Sequence, residues 1–371
     1  MAVEILAADG GAARRAFIAL PYRLYRRDPL FVPPLRREQR ALFSRTRHPF
    51  FAHADAAFFV ARQGGRIVGR IEATVNHAYA AHDATTGFFG AFECEDDRAA
   101  ATALLDAAAT WLRARGKTRM RGPFTHSPNE EYGLLVESDG TPPTVQLTYN
   151  PTFYARHFDA YGLRKAKDFY AWWADASAPM PRLERIAEAA RKRTRATVRP
   201  LRLADYDAEV ERAQRLLNQA LGAMWGFVPV TEDELRHAAR QFRAVLKPEL
   251  VLFCEIDDVP VGMALALPDL NQALARLRDG RLLPFGWWRL TRALPAVNQA
   301  RLIALGVLPA FRKRGLEALL VVGARAAVRQ LGYRGAELSM TVEDNTLIES
   351  TIAAAGGRRT KTYRVYEKAL V

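Results

Sequence analysis

The chain carries one pattern twice, and this repeat limits the folds that it can adopt. Three landmarks recur at offsets of 193 to 196 residues: Phe-Val-Pro at 31–33 and 227–229, Gly69 and Gly262, and Asn150 and Asn345. Landmarks in one order at nearly one spacing predict two copies of a single domain and exclude a solenoid of many short units. We therefore expect a first domain at residues 1–176, a basic linker at 177–197 and a second domain at 198–371.

Each copy shows the same order of predicted elements. Helical patterns precede a hairpin whose turn is Gly64-Gly65 in the first copy and Asp257-Asp258 in the second. A strand then leads into a long Ala/Leu-rich helix, which ends near a glycine, and a strand, an asparagine, a short helix and a last strand follow. This order predicts an α/β fold (α+β with a mixed sheet), in which two tandem domains each carry a twisted mixed sheet flanked by helices.

Composition narrows the class of protein. Hydrophobic residues make up 49% and charged residues 25%, which is typical of globular proteins and excludes a disordered or fibrous chain. The 54 Lys and Arg against 40 Asp and Glu give a net charge of +14, which favours anionic partners such as a phosphate-rich cofactor or an anionic membrane surface. Nucleic acid is an unlikely partner, because no helix-turn-helix, zinc-finger or aromatic RNA-binding signature accompanies the arginine-rich stretches.

Cysteine usage and hydropathy bear on metals and location. Cys94 and Cys254 are the only cysteines, and the spacing of a zinc site is absent, so we expect no metal. The first residues lack the basic head and apolar core of a secretory signal, and no apolar run reaches the ~20 residues that span a bilayer. We therefore expect a cytoplasmic protein, either free or peripheral on the inner face of the membrane.

The most specific local signal is the segment RLIALGVLPAFRKRGLEALLV at 301–321. A buried strand meets Pro309, and a basic, glycine-bearing turn then enters a helix. Free backbone N–H groups and the positive end of the helix dipole favour an anion at such a turn, and three neighbouring cations favour a pyrophosphate.

This turn resembles that of the GNAT family, the Gcn5-related N-acyltransferases, which place V-x-P-x-[FY]-R/Q-x-x-G-x-G/A between a strand and a helix. Val307, Pro309, Phe311, Arg312 and Gly315 match, whereas Glu317 stands in place of the last small residue. The resemblance implies acyl-CoA or acetyl-CoA as co-substrate. The cofactor-binding residues that it implies are Leu305, Val307, Arg312, Lys313, Arg314, Gly315, Leu316 and Asn345.

The first copy departs from the family at this turn. Glu93, Glu95, Asp96 and Asp97 occupy the positions where the phosphates would lie, so we expect only the second copy to bind the cofactor. In the second copy, the aromatic residue that usually serves as general acid is replaced by Ile352. Three stretches, 121–137, 149–163 and 337–345, resemble a narrower group of bacterial tandem GNAT proteins that includes bacterial ceramide synthases. That likeness implies transfer of a long acyl chain from acyl-CoA to a long-chain amine.

Acylation of an amine requires a group that accepts the amine proton. Glu337, Ser339, Thr341 and Glu343 alternate along one predicted strand and so share a face, which makes Glu337 and Glu343 candidates for the base in the second copy. The alternative is a solvated strand face, with Glu343 serving as a turn or cap residue.

Three further residues are candidates outside this strand. His126 and Glu130 lie in a polar loop of the first copy that has no counterpart in the second, and functional groups concentrate in such loops. The alternative for both is an ordinary surface loop. Tyr363 could replace the missing general acid, although a half-buried strand tyrosine accounts for it equally well.

An insertion of the second copy, residues 271–300, combines arginines with tryptophans. Trp287 and Trp288 stand among apolar residues, and five arginines (276, 278, 281, 289 and 292) oppose the single acidic residue Asp279. Such a composition suits the interface of an anionic bilayer. The alternatives are a roof over an acyl tunnel, packing on the first copy, or a solvated face.

The leading hypothesis is an acyl-CoA-dependent N-acyltransferase that acts on a primary amine, in its sharpest form a sphingoid-type amine at a membrane face. The acceptor is expected in a cleft between the copies. The alternatives are an acetyltransferase of a small polar or protein amine and a non-catalytic GNAT-like binding module.

Overall fold

The structure is a computed structural model that describes residues 2–277 and 279–370, so that Arg278 of the insertion lies outside the described residues. Its helices are α1 (Gly11–Leu24), α2 (Arg36–Leu42), α3 (Arg98–Arg113), α4 (Phe153–Tyr161), α5 (Pro181–Thr194), α6 (Tyr206–Leu221), α7 (Glu232–Phe242), α8 (Asn271–Leu274), α9 (Gly286–Ala293), α10 (Leu316–Gln330) and α11 (Thr346–Ala354). Its strands are β1 (Val3–Ala7), β2 (Ala54–Gln63), β3 (Arg66–Asn76), β4 (Thr86–Cys94), β5 (Arg119–Gly122), β6 (Leu134–Ser138), β7 (Arg164–Asp175), β8 (Thr197–Pro200), β9 (Val251–Ile256), β10 (Val259–Pro268), β11 (Gln299–Val307), β12 (Gly335–Val342) and β13 (Arg358–Ala369).

The chain forms two compact units. Described residues of the first unit are 2–168, 273–277, 279–293 and 362–370, and those of the second are 169–272 and 294–361. The C-terminal part of β7 thus belongs to the second unit, and most of β13 belongs to the first. Each unit therefore contains a last strand that comes from the other sequence copy.

The first unit is built on the strand order β1-β2-β3-β4-β5-β13, with β6 also paired to β13. The pair β4–β5 is parallel, and β1–β2, β2–β3, β3–β4 and β5–β13 are antiparallel, which confirms the predicted mixed sheet. Because side chains alternate along a strand, Phe58 and Val60 of β2 pack with Phe17 on α1, whereas Ala61 packs with the buried face of α3. Helices therefore cover both faces of this sheet.

The second unit repeats this arrangement with the order β7-β12-β11-β10-β9-β8. The pair β11–β12 is parallel and its neighbours are antiparallel. On β9, Val251 and Phe253 pack with α6, whereas Leu252 and Cys254 pack with α10. Helices α6 and α10 therefore lie on opposite faces of the sheet.

The predicted turns and helix ends are confirmed. Both residues of each hairpin turn, Gly64-Gly65 and Asp257-Asp258, have positive φ, as a tight hairpin requires. After α3, the N–H of Lys117 donates to the Leu112 carbonyl across Gly116, and Tyr333 donates to Val328 across Gly332 in the same way after α10. None of the helices within the described residues has the length and apolar character needed to cross a bilayer.

Candidate active site

Strands β11 and β12 separate part of the way along their length. They pair from Gln299↔Gly335 to Leu302↔Leu338, and no pairing follows although β11 continues to Val307. On its other side β11 stays paired to β10 as far as Val307. The end of β11 therefore has one free edge, whose backbone groups can bond an extended ligand.

A cavity of about 180 Å³ occupies this gap. It is lined by β11 and β12 and by residues from both faces of the sheet: Leu221 and Met224 on one side, and Val321, Ala324, Val328, Ile348 and Ile352 on the other. The lining is apolar apart from a few groups such as Ser339, Thr341 and Asn345. A narrow apolar cavity between two strands fits an extended hydrocarbon chain.

The predicted phosphate-binding turn lies at the start of α10. Gly315 is the N-cap residue with φ +83°, and no side chain caps the helix. Among the described residues, no backbone carbonyl accepts from the N–H groups of Lys313, Arg314 or Gly315. Lys313 and Arg314 are exposed. Uncapped N–H groups and exposed cations at a helix N-terminus fit a pyrophosphate, so this turn can hold coenzyme A.

Not every predicted residue of the turn presents its side chain to a ligand. The Arg312 guanidinium donates to the carbonyls of Val307 (3.2 Å) and Ala220 (2.7 Å), so it braces the turn. Val307 and Leu316 are buried in the core beneath α10, where only their backbone can serve a ligand. Leu305 lines the cavity, and the Asn345 side chain caps α11 by accepting from the Ile348 N–H.

The segment expected as a basic linker contributes to this turn. It forms α5, whose Ala190 and Ile186 lie so near Gly315 that an added Cβ would be 3.1 Å from each. Arg193, in the last turn of α5, donates to the Arg314 carbonyl at 2.7 Å. The basic residues of the linker were visible in the sequence, but their position beside the turn depends on tertiary packing and was not predicted.

Glu337 lies in a buried polar network. Its carboxylate accepts from the Ser339 hydroxyl (3.1 Å) and from Lys361 Nζ (3.3 Å), and Arg301 Nε donates to Ser339 at 2.9 Å. All four residues are at most 5% exposed. Ser339 also lines the cavity, so a residue bonded to the Glu337 carboxylate borders that space.

The predicted common face holds for Glu337 and Ser339, whose side chains are hydrogen-bonded, but it is wrong for Thr341, and Glu343 lies beyond the end of β12. A bulge between Leu338 and Thr341 shifts the register against β7, so that Leu338 pairs with Trp172 and Thr341 with Tyr170. Trp172 and Tyr170 share a face, which places Thr341 on the side of Leu338 and away from Glu337. The hydrogen bond from Trp172 Nε1 to the Thr341 hydroxyl, 2.9 Å long, agrees with this.

The corresponding helix start in the first unit is closed to anions. Asp97 caps α3 by accepting from the N–H groups of Ala99 and Ala100, which satisfies the donors that a phosphate would need. The strand gap is also closed, because a Cβ on Gly90 would lie 1.8 Å from the Phe124 carbonyl oxygen. These contacts support the expectation that the first copy does not bind the cofactor.

Of the four acidic residues at the corresponding turn of the first copy (93 and 95–97), one lies in the core. Glu93 is buried and accepts from Tyr154 (2.9 Å) and Tyr25, and Tyr154 also accepts from the Cys94 N–H at 2.8 Å. Burial raises the pKa of Glu93, an effect that Arg70 and the two tyrosines oppose. In the first unit, β4 corresponds to β11. The cluster of Glu93, Tyr25 and Tyr154 therefore lies where the second unit has the open edge of β11.

The base candidates of the first unit have structural partners. Both nitrogens of the buried His126 ring are bonded, Nδ1 to Glu72 (2.6 Å) and Nε2 to the Leu42 carbonyl (2.8 Å). Burial lowers the pKa of His126, but Glu72 and the hydrogen bonds outweigh it and leave that pKa above its usual value.

Glu130 lies 3.4 Å from His48 Nε2, and Tyr363 is fully buried beside Gly133. None of these groups borders the cavity of the second unit.

The insertion places apolar side chains in solvent. Leu283, Phe285, Trp287 and Trp288 are 77%, 68%, 53% and 48% exposed, and they make up half of the large exposed apolar residues of the described chain. Helix α9, which carries both tryptophans, has no buried residue. This segment therefore has the character of an interaction surface.

Three comparisons extend this description. Bacterial ceramide synthase of Caulobacter vibrioides (strain NA1000 / CB15N) is 39% identical over 372 residues, which cover 97% of this chain and 95% of that protein. Protein YghO of Escherichia coli (strain K12) is 32% identical over 365 residues, which cover 95% of this chain and 92% of that protein. A solved tandem GNAT protein from the clavulanic acid biosynthesis pathway has a TM-score of 0.57 at 15% identity, covering 100% of this chain and 99% of that one. No family model matches the chain.

Proposed function

Since the chain belongs to the tandem GNAT family of N-acyltransferases that includes bacterial ceramide synthase, we propose that it transfers a long acyl group from acyl-CoA to a long-chain primary amine. The observation that carries this proposal is the apolar cavity in the gap between β11 and β12. Beyond the pantetheine arm, an acetyl group would fill little of this space, whereas each methylene of a longer chain gains about 0.8 kcal/mol when it leaves water.

The residues of the second unit have distinct roles in this proposal. The N–H groups of Lys313 to Gly315 and the cations of the turn bind the pyrophosphate, and the free edge of β11 binds the pantetheine arm. Bound acyl-CoA supplies a thioester carbonyl as electrophile. The amine nitrogen attacks that carbon, a C–N bond forms and the C–S bond breaks. The amine gives up one proton and the departing thiolate gains one, so the products are an amide and free coenzyme A.

The proton acceptor is proposed among the second unit's carboxylates. Glu337 can receive the amine proton through Ser339, a residue that lines the cavity and whose hydroxyl donates to that carboxylate. Glu343, which follows the end of β12, is the other candidate. A general base of this kind contributes typically 10²- to 10⁴-fold to the rate.

A substrate panel tests the proposal. Purified protein is assayed with acetyl-, octanoyl- and palmitoyl-CoA against a sphingoid-type amine and a small polar amine, with free coenzyme A as the readout. We expect kcat/KM to rise with the length of both chains. The Glu337→Gln and Glu343→Gln variants are assayed alongside, and loss of kcat in one of them identifies the base. Turnover limited to acetyl-CoA, or the absence of turnover with every pair, would contradict the proposal.

The exposed insertion is proposed as a membrane-binding surface for this enzyme. Its tryptophans suit the headgroup region, and its arginines suit anionic lipids. Replacing Trp287 and Trp288 together by serine is expected to reduce binding to phosphatidylglycerol vesicles at least ~10-fold in a sedimentation assay, because their exposed rings lose the bilayer contact. The matched control is Leu203→Ser with Leu347→Ser, which removes two exposed apolar residues elsewhere. Equal loss in both variants would rule out a specific surface.

A further inference from the structure

A cavity of about 600 Å³ in the first unit is lined by five arginines. They come from three segments, α1, α2 and the loop that follows α2, and are Arg14, Arg15, Arg36, Arg40 and Arg45. Phe43 and Phe58 form part of its wall, and Ser44 and Thr46 add hydroxyl groups. This arginine-lined cavity is separate from the phosphate-binding turn, which lies in the second unit.

Its positive charge is only partly balanced. Among the described residues of the lining, Asp9 is the one with a carboxylate, and it pairs with Arg45 at 3.0 Å. Arg14 donates to the Ala8 carbonyl and lies 4.0 Å from the Phe58 ring centroid, so its contacts are with neutral groups. Burial lowers the pKa of Arg14, because the cavity wall removes water from its charge. Glu72 and Asp9 act on Arg14 only through space, so the five arginines of the lining still outnumber the carboxylates near them.

Two of the arginines are held by no protein group. Within residues 2–277 and 279–370, the side chains of Arg15 and Arg40 make no hydrogen bond or ion pair, and both remain exposed at the cavity. Exposed arginines that serve only solubility need not converge on one concave space. A guanidinium offers paired donors that match two oxygens of a phosphate, and several guanidinium groups around one cavity are typical of phosphate recognition.

We propose that the arginine-lined cavity is a phosphate-binding site. Its ligand carries a phosphate group that Arg15 and Arg40 contact directly, while Arg14 and Arg36 supply positive charge at the wall. The same chemistry is present in a free phosphate ester and in a phospholipid headgroup.

The neighbourhood of the cavity favours the headgroup. Arg36 lines the cavity and donates through Nε to the carbonyl of Asp279, a residue of the insertion, at 2.8 Å. Its backbone N–H bonds the Gly280 carbonyl at 2.9 Å. Gly280 has φ +68° and lies against Pro34, where a Cβ would be 2.1 Å from the carbonyl oxygen. The insertion is thereby fixed to α2 beside the cavity.

The test compares two double variants of equal charge. Arg15→Gln with Arg40→Gln removes the two arginines without partners, and Arg27→Gln with Arg37→Gln removes two exposed arginines that do not line the cavity. Binding of glycerol phosphate is measured by titration calorimetry with coenzyme A present at saturation. Binding to phosphatidylglycerol vesicles is measured by sedimentation at fixed ionic strength. Circular dichroism checks that both variants fold.

We expect the cavity variant to bind at least ~10-fold more weakly than the control variant, because two charge-assisted contacts are lost. A difference with glycerol phosphate identifies a soluble ester as a sufficient ligand. A difference with vesicles alone identifies a lipid headgroup. Equal binding by the two variants in both assays overturns the proposal.

Discussion

Replacing Gly315 by aspartate is expected to weaken coenzyme A binding by about two orders of magnitude relative to replacement by asparagine. The two side chains are the same size, and both tolerate the left-handed backbone of this position better than other residues do. Each meets Ile186 and Ala190 in the same way, so the packing cost cancels. Only aspartate adds a negative charge, and at ~5 Å from a phosphate with an effective dielectric constant near 20 the repulsion is about 3 kcal/mol.

Titration calorimetry with coenzyme A measures this difference directly. Thermal unfolding of the two variants without ligand shows whether they are equally stable, as matched packing requires. Equal affinity of the aspartate and asparagine variants would contradict the assignment of the phosphates to the start of α10. That result would leave the arginine-lined cavity of the first unit unaffected.

Replacing Ala324 by phenylalanine is expected to reduce kcat/KM for palmitoyl-CoA at least ~100-fold while changing the Kd of coenzyme A less than about twofold. Ala324 lies on α10 and lines the cavity of the second unit, so a phenyl ring there fills space that the acyl chain needs. Losing the burial of three or four methylenes costs about 3 kcal/mol, which corresponds to the ~100-fold loss of kcat/KM for palmitoyl-CoA. Transfer of an acetyl group is expected to persist.

Ala326 provides the matched control, because it lies on the same helix but is exposed and does not line the cavity. The Ala326→Phe variant is expected to keep its kcat/KM for both palmitoyl-CoA and acetyl-CoA. If the Ala324 variant lost short and long acyl transfer equally, with coenzyme A binding intact, the cavity would not be the acyl site.

Features that depend on neighbouring residues could be predicted from the sequence. The phosphate-binding turn is a local pattern, because Pro309 ends the strand and Gly315 supplies the positive φ before α10. The hairpin turns and the glycines after α3 and α10 follow from the same backbone preferences. The mixed sheet followed from the repeated order of elements, since each copy presents a hairpin and then a strand, helix and strand.

Features that depend on residues far apart in the chain could not be predicted from the sequence. The bulge that separates Thr341 from Glu337 has no signal in the sequence of β12. It places Thr341 on the opposite face from the one that strict alternation predicts. His126 had the composition of a base candidate, but its two ring bonds reach Glu72 and Leu42, which lie far away in the chain. The gap between β11 and β12 is likewise a property of paired strands rather than of either strand alone.

The exchange of last strands determines when the first unit can be completed during synthesis. Tyr366 and Leu370 belong to the core of the first unit, and Tyr366 to Ala369 pair with β5. These residues leave the ribosome about 250 positions after their partners in β5, a delay on the order of 12–50 s at 5–20 residues per second. During that time β5 has an open edge, which is a site for wrong pairing between nascent chains. Expression yield should therefore be sensitive to truncation of β13, because residues 366–369 close a sheet that the first half of the chain began.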